Sequence, residues 1–211
     1  MNENPERDKI TGKKFFIDIL KAIDIERGFL YNLRAFLLFP GQAIQGYLNG
    51  EKSKLLNPFK YFLSCILLSI LSFWLVQKLD PGIVNETGVE LDNILNSKIT
   101  TYGSSVLIIL ILGLFVTTIN RKSDYTLFEN LIAVIFVFST YTIIEIPIEY
   151  ILIPFPDAIY FAPLIPISYM IWAIKDTFKI SFFISIIIVI PTYLISYTII
   201  GLIVTTISSY D

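Results

Sequence analysis

Hydrophobic and polar positions recur at helical spacing in the stretch from Arg27 to Pro58, before any long apolar run begins. A helix over Arg27–Phe39 would place its apolar residues three or four positions apart, with arginine and tyrosine on the opposite side. A second short helix over Gln42–Asn49 repeats this pattern. The spacing therefore predicts two amphipathic helices, whose apolar positions in the first helix are Phe29, Leu30, Leu33, Phe36 and Leu37.

Proline and glycine separate these helices from each other and from the rest of the chain. Proline disfavours the helical state in the residue before it, so Pro40-Gly41 is predicted to end the first helix. Gly50 is predicted to end the second helix in a left-handed conformation. Asn57-Pro58 is predicted to open the next helix, since proline is tolerated at a first helical position. These five residues are the candidate structural turns.

Long apolar runs occupy most of the remaining chain, and each of five is predicted to be a transmembrane helix. A hydrocarbon core about 30 Å thick requires roughly 20 helical residues. Only 16% of the 211 residues are charged, against about 25% in soluble proteins. We expect an all-α polytopic membrane protein, with a polar tail (1–12), a cytoplasmic amphipathic segment (13–58) and a helical bundle (59–211). The predicted spans are about 59–77, 102–119, 127–152, 158–174 and 180–207.

The fourth predicted span is short and contains Pro163 and Pro166. Internal prolines free helix carbonyls, which must then find partners in neighbouring segments. The sequence therefore predicts a proline-broken span four, either crossing the membrane or re-entrant. Span five, which contains Pro191, is long enough to tilt or kink and still cross.

Lysine and arginine are distributed unequally between the two predicted sides of the membrane. Nine precede span one, and two more lie in each of the loops 120–126 and 175–179, whereas the opposite side has only two. Because cytoplasmic loops are enriched in these residues, we expect the N-terminus in the cytoplasm and, with five spans, the C-terminus outside.

The cations of the amphipathic segment are candidate contacts for anionic lipid headgroups, because an amphipathic helix can lie in the membrane interface. These candidates are Arg27, Arg34, Lys52 and Lys54. A second interpretation is that the same helices cap the cytoplasmic end of the bundle, with their apolar faces packed on protein. Nucleic acid is not an expected partner, because the basic segment also contains seven acidic residues. A membrane-protein partner or a homo-oligomer remains open.

The third predicted span contains three glutamates, which makes each a candidate functional carboxylate for a proton or cation. Glu145 and Glu149 share a helix face around Pro147, and Glu129 lies at the cytoplasmic boundary near Arg121 and Lys122. At 1.5 Å per residue, the first two glutamates lie roughly 27 and 33 Å from the start of the span. A second interpretation of Glu145 and Glu149 is therefore that they anchor the helix at the outer membrane boundary.

Enzymatic chemistry finds little support in the sequence. The chain has no histidine and a single cysteine, Cys65, which excludes the usual histidine-assisted nucleophiles and histidine-ligated zinc. We expect no catalytic residue, no cofactor and no metal site, and we interpret Cys65 as an apolar packing residue.

The opening stretch also carries a family resemblance. Its pattern RGFL-x2-L-x6-PG-x2-I-x2-Y-x2-G-x6-NP resembles the opening of a bacterial membrane family known as domain of unknown function 3667. The stretches starting at Tyr125 (YTLFENLI) and Ala173 (AIKDTFK) are similar to the same family. A fainter similarity, in span count and cytoplasmic amphipathic entry, is to the Yip family of five-span membrane proteins.

The resemblance implies a bacterial cytoplasmic (inner) membrane location but no established activity. Many relatives begin with a four-cysteine zinc ribbon, and this chain lacks those cysteines. Two functions stay open. The first is a non-enzymatic membrane protein whose amphipathic segment contacts headgroups or a partner. The second is a small transporter or channel component that uses the glutamates of span three and the broken span four.

Overall fold

A computed structural model describes residues 28–51, 55–79, 91–119, 125–152 and 161–208, and all regular structure in these ranges is helical. The described part of the chain forms seven helices. They are α1 (Leu30–Leu38), α2 (Pro40–Leu48), α3 (Pro58–Leu79), α4 (Leu91–Ile119), α5 (Leu127–Leu152), α6 (Leu164–Phe178) and α7 (Phe182–Ser208). The predicted polar tail and the residues up to 27 lie outside these ranges.

The predicted and observed helix bounds differ most at α4. This helix begins at Leu91, eleven residues before the predicted start at 102. The added turns contain polar residues, which end an apolar run without ending a helix. The other long helices, α3, α5 and α7, begin within two residues of the predicted positions.

Neither Pro163 nor Pro166 interrupts α6, whereas residues 158–160 of the predicted span four lie outside the described ranges, so a broken span stays a prediction. Pro163 precedes α6 and Pro166 lies in its first turn, where amide groups have no acceptor within the helix and a proline breaks no hydrogen bond. The helix then runs unbroken to Phe178. Its 15 residues span roughly 22 Å at 1.5 Å per residue, which is less than a hydrocarbon core of about 30 Å.

Within the described ranges, two helices are long and apolar enough to cross a membrane. These are Leu127–Ile148 within α5 and Phe182–Ile200 within α7. Shorter apolar stretches occupy Pro58–Ser72 in α3 and Ser105–Ile119 in α4. The coarse prediction of a helical protein with long apolar helices is therefore confirmed, whereas five spans stay a prediction.

Helix α5 is the centre of the bundle and contacts α1, α2, α3, α4 and α6, whereas α7 packs against α4 and α6. The hydroxyl groups of Tyr61 and Thr140 are 3.1 Å apart, and Tyr150 reaches Ser72 farther along both helices. Helices α3 and α5 are therefore parallel.

The parallel helices α3 and α5 do not start at the same level. Tyr61 is the fourth residue of α3, and its partner Thr140 is the fourteenth of α5. At 1.5 Å per residue, α3 begins roughly 15 Å farther along the bundle than α5. The hairpin α1–α2 packs on this first part of α5, because the rings of Phe36 and Tyr47 both contact Phe136.

A cluster of aromatic side chains joins the hairpin to the bundle. The ring centroids of Phe36 and Phe136 are 4.4 Å apart, and Tyr61 lies 5.2 Å from Phe36. Phe36 is 0% exposed and Phe29 is 3% exposed. Aromatic rings in such contacts stabilise a fold beyond the area that they bury. Phe29 and Phe36 of the predicted apolar face therefore pack on protein, whereas Leu30 of the same face is 64% exposed.

Candidate functional site

The sharp turn between α1 and α2 leaves one carbonyl without its helical partner. Phe39 has φ −141° and ψ 57°, and Pro40 is already the first residue of α2, two positions before the predicted start. Because proline has no amide hydrogen, it cannot donate to the carbonyl four residues earlier, at Phe36. The Tyr169 hydroxyl of α6 donates to that carbonyl at 3.0 Å. A distant helix thus satisfies the buried end of α1.

Helix α6 also supplies a hydrogen-bond acceptor for an amide at the start of α2. The Gly41 amide donates to the Asp176 Oδ2 atom at 2.9 Å, across 135 positions of sequence. Phe39, which occupies the N-cap position, has no side-chain oxygen for this purpose. A carboxylate at a helix N-terminus accepts from unpaired amides and interacts favourably with the helix dipole. Asp176 therefore acts as the cap of α2.

The close approach of α2 and α6 explains the glycine at position 41. A Cβ atom on Gly41 would lie 2.6 Å from the Asp176 carbonyl oxygen and 2.7 Å from its carbonyl carbon. These are backbone atoms, which cannot move aside as the end of a side chain can. Gly41 is part of the helix, whereas Gly50 has φ +102°. The two predicted turn glycines thus meet different requirements, one for space and one for backbone conformation.

Helix α2 in turn supplies a hydrogen-bond donor for a carbonyl at the end of α6. The Gln45 Nε2 atom donates to the Thr177 carbonyl at 2.7 Å, in the last turn of α6, where carbonyls lack helical partners. Lys179 then ends α6 in a left-handed conformation with φ 52°. We call these reciprocal contacts the α2–α6 joint, consisting of Gly41–Asp176, Gln45–Thr177 and Phe36–Tyr169.

A buried amide fixes α1 to the turn that precedes α3. Asn32 is 0% exposed, its Oδ1 atom accepts from the Leu56 amide at 3.0 Å, and its Nδ2 atom donates to the Gly28 carbonyl. Asn57 accepts from the Phe59 amide at 2.9 Å, next to the start of α3 at Pro58. Asn32 is not among the predicted site residues, although a lone amide among the apolar positions of a short helix could have indicated it.

Three exposed cations lie on the helices that the joint connects. Arg34 is exposed on α1, and Lys175 and Lys179 are exposed at the end of α6. The other predicted headgroup contacts, Arg27, Lys52 and Lys54, lie outside the described residues. Headgroup contact by these four predicted cations stays a prediction.

The glutamates of α5 have separate surroundings. The Glu129 Oε2 atom accepts from the amide and the hydroxyl of Thr126, at 2.7 and 2.8 Å. The Thr126 hydroxyl accepts from the Glu129 amide at 3.3 Å. This reciprocal pattern is a capping box, which the spacing Thr-x-x-Glu before an apolar run predicts. The predicted neighbours of Glu129 are Arg121 and Lys122, and both lie outside the described residues.

Glu129 and Glu145, the glutamates of α5 with described side chains, do not lie together in one site. Glu145 accepts from the Tyr141 hydroxyl at 3.4 Å, and it lies sixteen positions after Glu129, or roughly 24 Å along a helix. The side chain of Glu149 lies outside the described part. Among the described residues, no group of three or more histidine, cysteine, aspartate or glutamate side chains could hold a metal ion.

Small hydroxyl side chains line the interior and bond to their own helices. Each donates to the carbonyl four residues before it, which satisfies a buried hydroxyl without a second helix. Such bonds are made by Ser64, Thr117, Ser139, Thr140, Thr142, Ser185 and Thr192. Cys65 is buried among them. Satisfaction is not complete in the described interior, because the Asn130 Oδ1 atom and the hydroxyls of Thr177 and Ser196 are buried without a hydrogen-bond partner there.

The fold and the joint together define a helical bundle with an apolar exterior and a docked N-terminal hairpin. Residues 26–70 match a family described as a protein of unknown function (DUF3667). The match covers the hairpin, its turns and the first part of α3, and it confirms the family resemblance predicted from this stretch. Comparison with curated proteins and with solved structures gives no match.

Proposed function

We propose that this chain is a non-enzymatic integral membrane protein of the bacterial inner membrane. In this proposal the α1–α2 hairpin is a fixed part of the cytoplasmic end of the bundle, and its outer face contacts lipid headgroups or a partner protein. The observation that supports it is the apolar exterior. Large apolar side chains are exposed at intervals of three or four residues on α3 (Phe59, Leu63, Leu67, Ile70, Trp74), α4 (Val106, Leu110, Leu114) and α7 (Phe183, Ile187, Ile190, Leu194).

Helix α7 illustrates how polar and apolar residues are sorted. Ser185 and Thr192 are buried, whereas Phe183 is 77% exposed and Leu194 is 64% exposed. Soluble monomers rarely expose contiguous apolar patches larger than a few hundred Å². Small polar residues at helix interfaces and apolar residues outside are typical of helices packed within lipid. This sorting supports a lipid-facing exterior.

The joint supports a structural role for the hairpin rather than a mobile one. Releasing it from α6 would expose the Phe36 carbonyl, the Gly41 amide and the Thr177 carbonyl, each now hydrogen-bonded. It would also remove Phe36 from the aromatic cluster. The exposed cations Arg34, Lys175 and Lys179 support placing this end in the cytoplasm, where such residues are enriched.

The transport alternative gains no support from α6, because this helix is continuous after its first turn. Seven interior hydroxyls bond within their own helices, whereas the buried hydroxyls of Thr177 and Ser196 have no hydrogen-bond partner among the described residues. The glutamates of α5 with described side chains lie far apart. We therefore retain the non-enzymatic structural function.

Extraction of membranes at alkaline pH tests this proposal. The full chain should remain in the membrane pellet after carbonate treatment and should be released only by detergent. Leu110→Lys, which places a charge on the exposed face of α4, should reduce the amount of inserted protein. Thr118→Lys, near the end of the same helix, is the matched control and should have a smaller effect. Release of the wild-type chain by carbonate alone would contradict the proposal.

A further inference from the structure

A groove runs between α1 and α2 on the face of the hairpin that points away from the bundle. Its volume is about 250 Å³, and it is lined by Tyr31 of α1, by Phe39 between the two helices, and by Gln42 and Gly46 of α2. Glu51, just after α2, completes the lining. Tyr31 is 50% exposed and Phe39 is 57% exposed, so both rings are open to a ligand.

The Glu51 carboxylate is positioned within this groove by Gly46. The Glu51 amide donates to the Gly46 carbonyl at 2.9 Å. Its Oε2 atom lies 3.3 Å from the position that a Cβ on Gly46 would occupy. Because Gly46 has no side chain, the Glu51 carboxylate has room to lie over this position of α2. Within the described ranges, no residue donates a hydrogen bond to this carboxylate.

A carboxylate beside open aromatic rings is suited to an organic ammonium group. Carboxylates accept strong charge-assisted hydrogen bonds from N–H donors, and aromatic faces attract cations. The volume is below the range of about 300–1,000 Å³ for drug-sized ligands, which favours a headgroup. Arg34 follows Tyr31 by three positions on the exposed side of α1 and is available to a phosphate.

We propose that the groove binds the headgroup of an ethanolamine phospholipid. The ammonium would lie between Glu51 and the ring of Tyr31, and the phosphate would lie toward Arg34. The acyl chains would run along the exposed apolar side chains Leu30 and Leu38. This inference rests on the proposed membrane function, since it requires the hairpin to lie at a lipid boundary.

The chemistry of the groove predicts a specific order of affinity. An ethanolamine headgroup donates three N–H bonds, a choline headgroup offers a cation without N–H donors, and a glycerol headgroup has no cation. We therefore expect ethanolamine lipid to bind more tightly than choline lipid, and choline lipid more tightly than glycerol lipid.

Titration of the purified full chain in detergent micelles with short-chain phospholipids tests this order. We expect the Kd for ethanolamine lipid to be at least roughly tenfold lower than for choline lipid, as a charge-assisted hydrogen bond implies. Glu51→Gln should weaken ethanolamine-lipid binding by a similar factor. Glu145→Gln, which changes a carboxylate outside the groove, is the matched control and should leave the Kd unchanged.

Several outcomes would overturn the inference. Equal affinity for the three headgroups would contradict it, and so would an unchanged Kd in Glu51→Gln that retains its helical circular dichroism. Equally tight binding of soluble phosphoethanolamine would assign the site to a free amine instead of a lipid. Carbonate extraction of the same variants shows separately whether the chain is inserted in the membrane. It therefore distinguishes a failure of the proposed headgroup site from a failure of the proposed membrane function. A chain that stays in the membrane but shows no headgroup preference contradicts only the groove assignment.

Discussion

Replacing Gly41 with alanine should destabilise the protein through the α2–α6 joint. The added methyl would lie 2.6 Å from the Asp176 carbonyl oxygen, so either the two helices separate or the Gly41–Asp176 hydrogen bond is lost. Overpacking of this kind costs about 1–3 kcal/mol, and loss of a helix cap costs about 1 kcal/mol. Alanine recovers up to about 1 kcal/mol through its higher helix propensity.

The expected net loss for Gly41→Ala is therefore about 1–3 kcal/mol, which lowers Tm by roughly 2–4 °C per kcal/mol in a chain of this size. Thermal unfolding in detergent micelles, followed by circular dichroism at 222 nm, measures it. Gly46→Ala is the matched control, because its methyl would meet only the end of the Glu51 side chain, at 3.3 Å. That variant should unfold at or above the wild-type temperature.

A double-mutant cycle separates the cap from the steric clash. Asp176→Ala alone should cost about 1 kcal/mol by removing the cap. In the double variant, Gly41→Ala should still be destabilising, because the clashing atoms belong to the backbone of residue 176. A Gly41→Ala variant as stable as Gly46→Ala would refute the close approach of α2 and α6.

Three further predictions follow from hydrogen bonds and helix order. Tyr169→Phe should cost about 1–3 kcal/mol, because the buried Phe36 carbonyl would lose its donor; a Tm equal to wild type would contradict this. Glu129→Ala should cost about 0.5–1.5 kcal/mol, because the Thr126 amide would lose its acceptor in the capping box. Glu145→Gln should leave Tm nearly unchanged, and the reverse order would contradict the assignment. Reporter fusions after residues 55, 90, 123, 155, 177 and 211 should alternate between cytoplasm and exterior, and a cytoplasmic signal at 211 would show that span four is re-entrant.

The sequence predicted the parts of the fold that depend on local pattern. Helix α5 coincides with the apolar run at 127–152, because a long uninterrupted run leaves few alternatives to a helix. The start of α4 at Leu91 was missed because hydropathy locates the apolar part of a helix and not its ends. Pro166 was interpreted as a break because its position within the first turn of α6 depends on where that helix begins.

The joint could not be predicted from sequence for a physical reason. Asp176 and Tyr169 lie more than 130 positions from the groups that they bond, and no local pattern indicates which helix supplies a cap. Gly41 was predicted to form a turn together with Pro40, but its close contact with the backbone of Asp176 depends on how α6 packs against α2. By contrast, the capping box at Thr126 and Glu129 is local and could have been found from its spacing.

Spin-label accessibility on α7 tests most directly whether the apolar exterior of the bundle faces lipid. A Cys65→Ala background removes the single native cysteine, and labels are then placed at Leu194→Cys on the exposed face and at Ile188→Cys in the core. In lipid vesicles, the label at 194 should be accessible to oxygen, which partitions into hydrocarbon, and protected from a water-soluble nickel chelate. The label at 188 should be protected from both reagents. High accessibility of position 194 to the nickel chelate would show that this surface faces water and would contradict the membrane assignment.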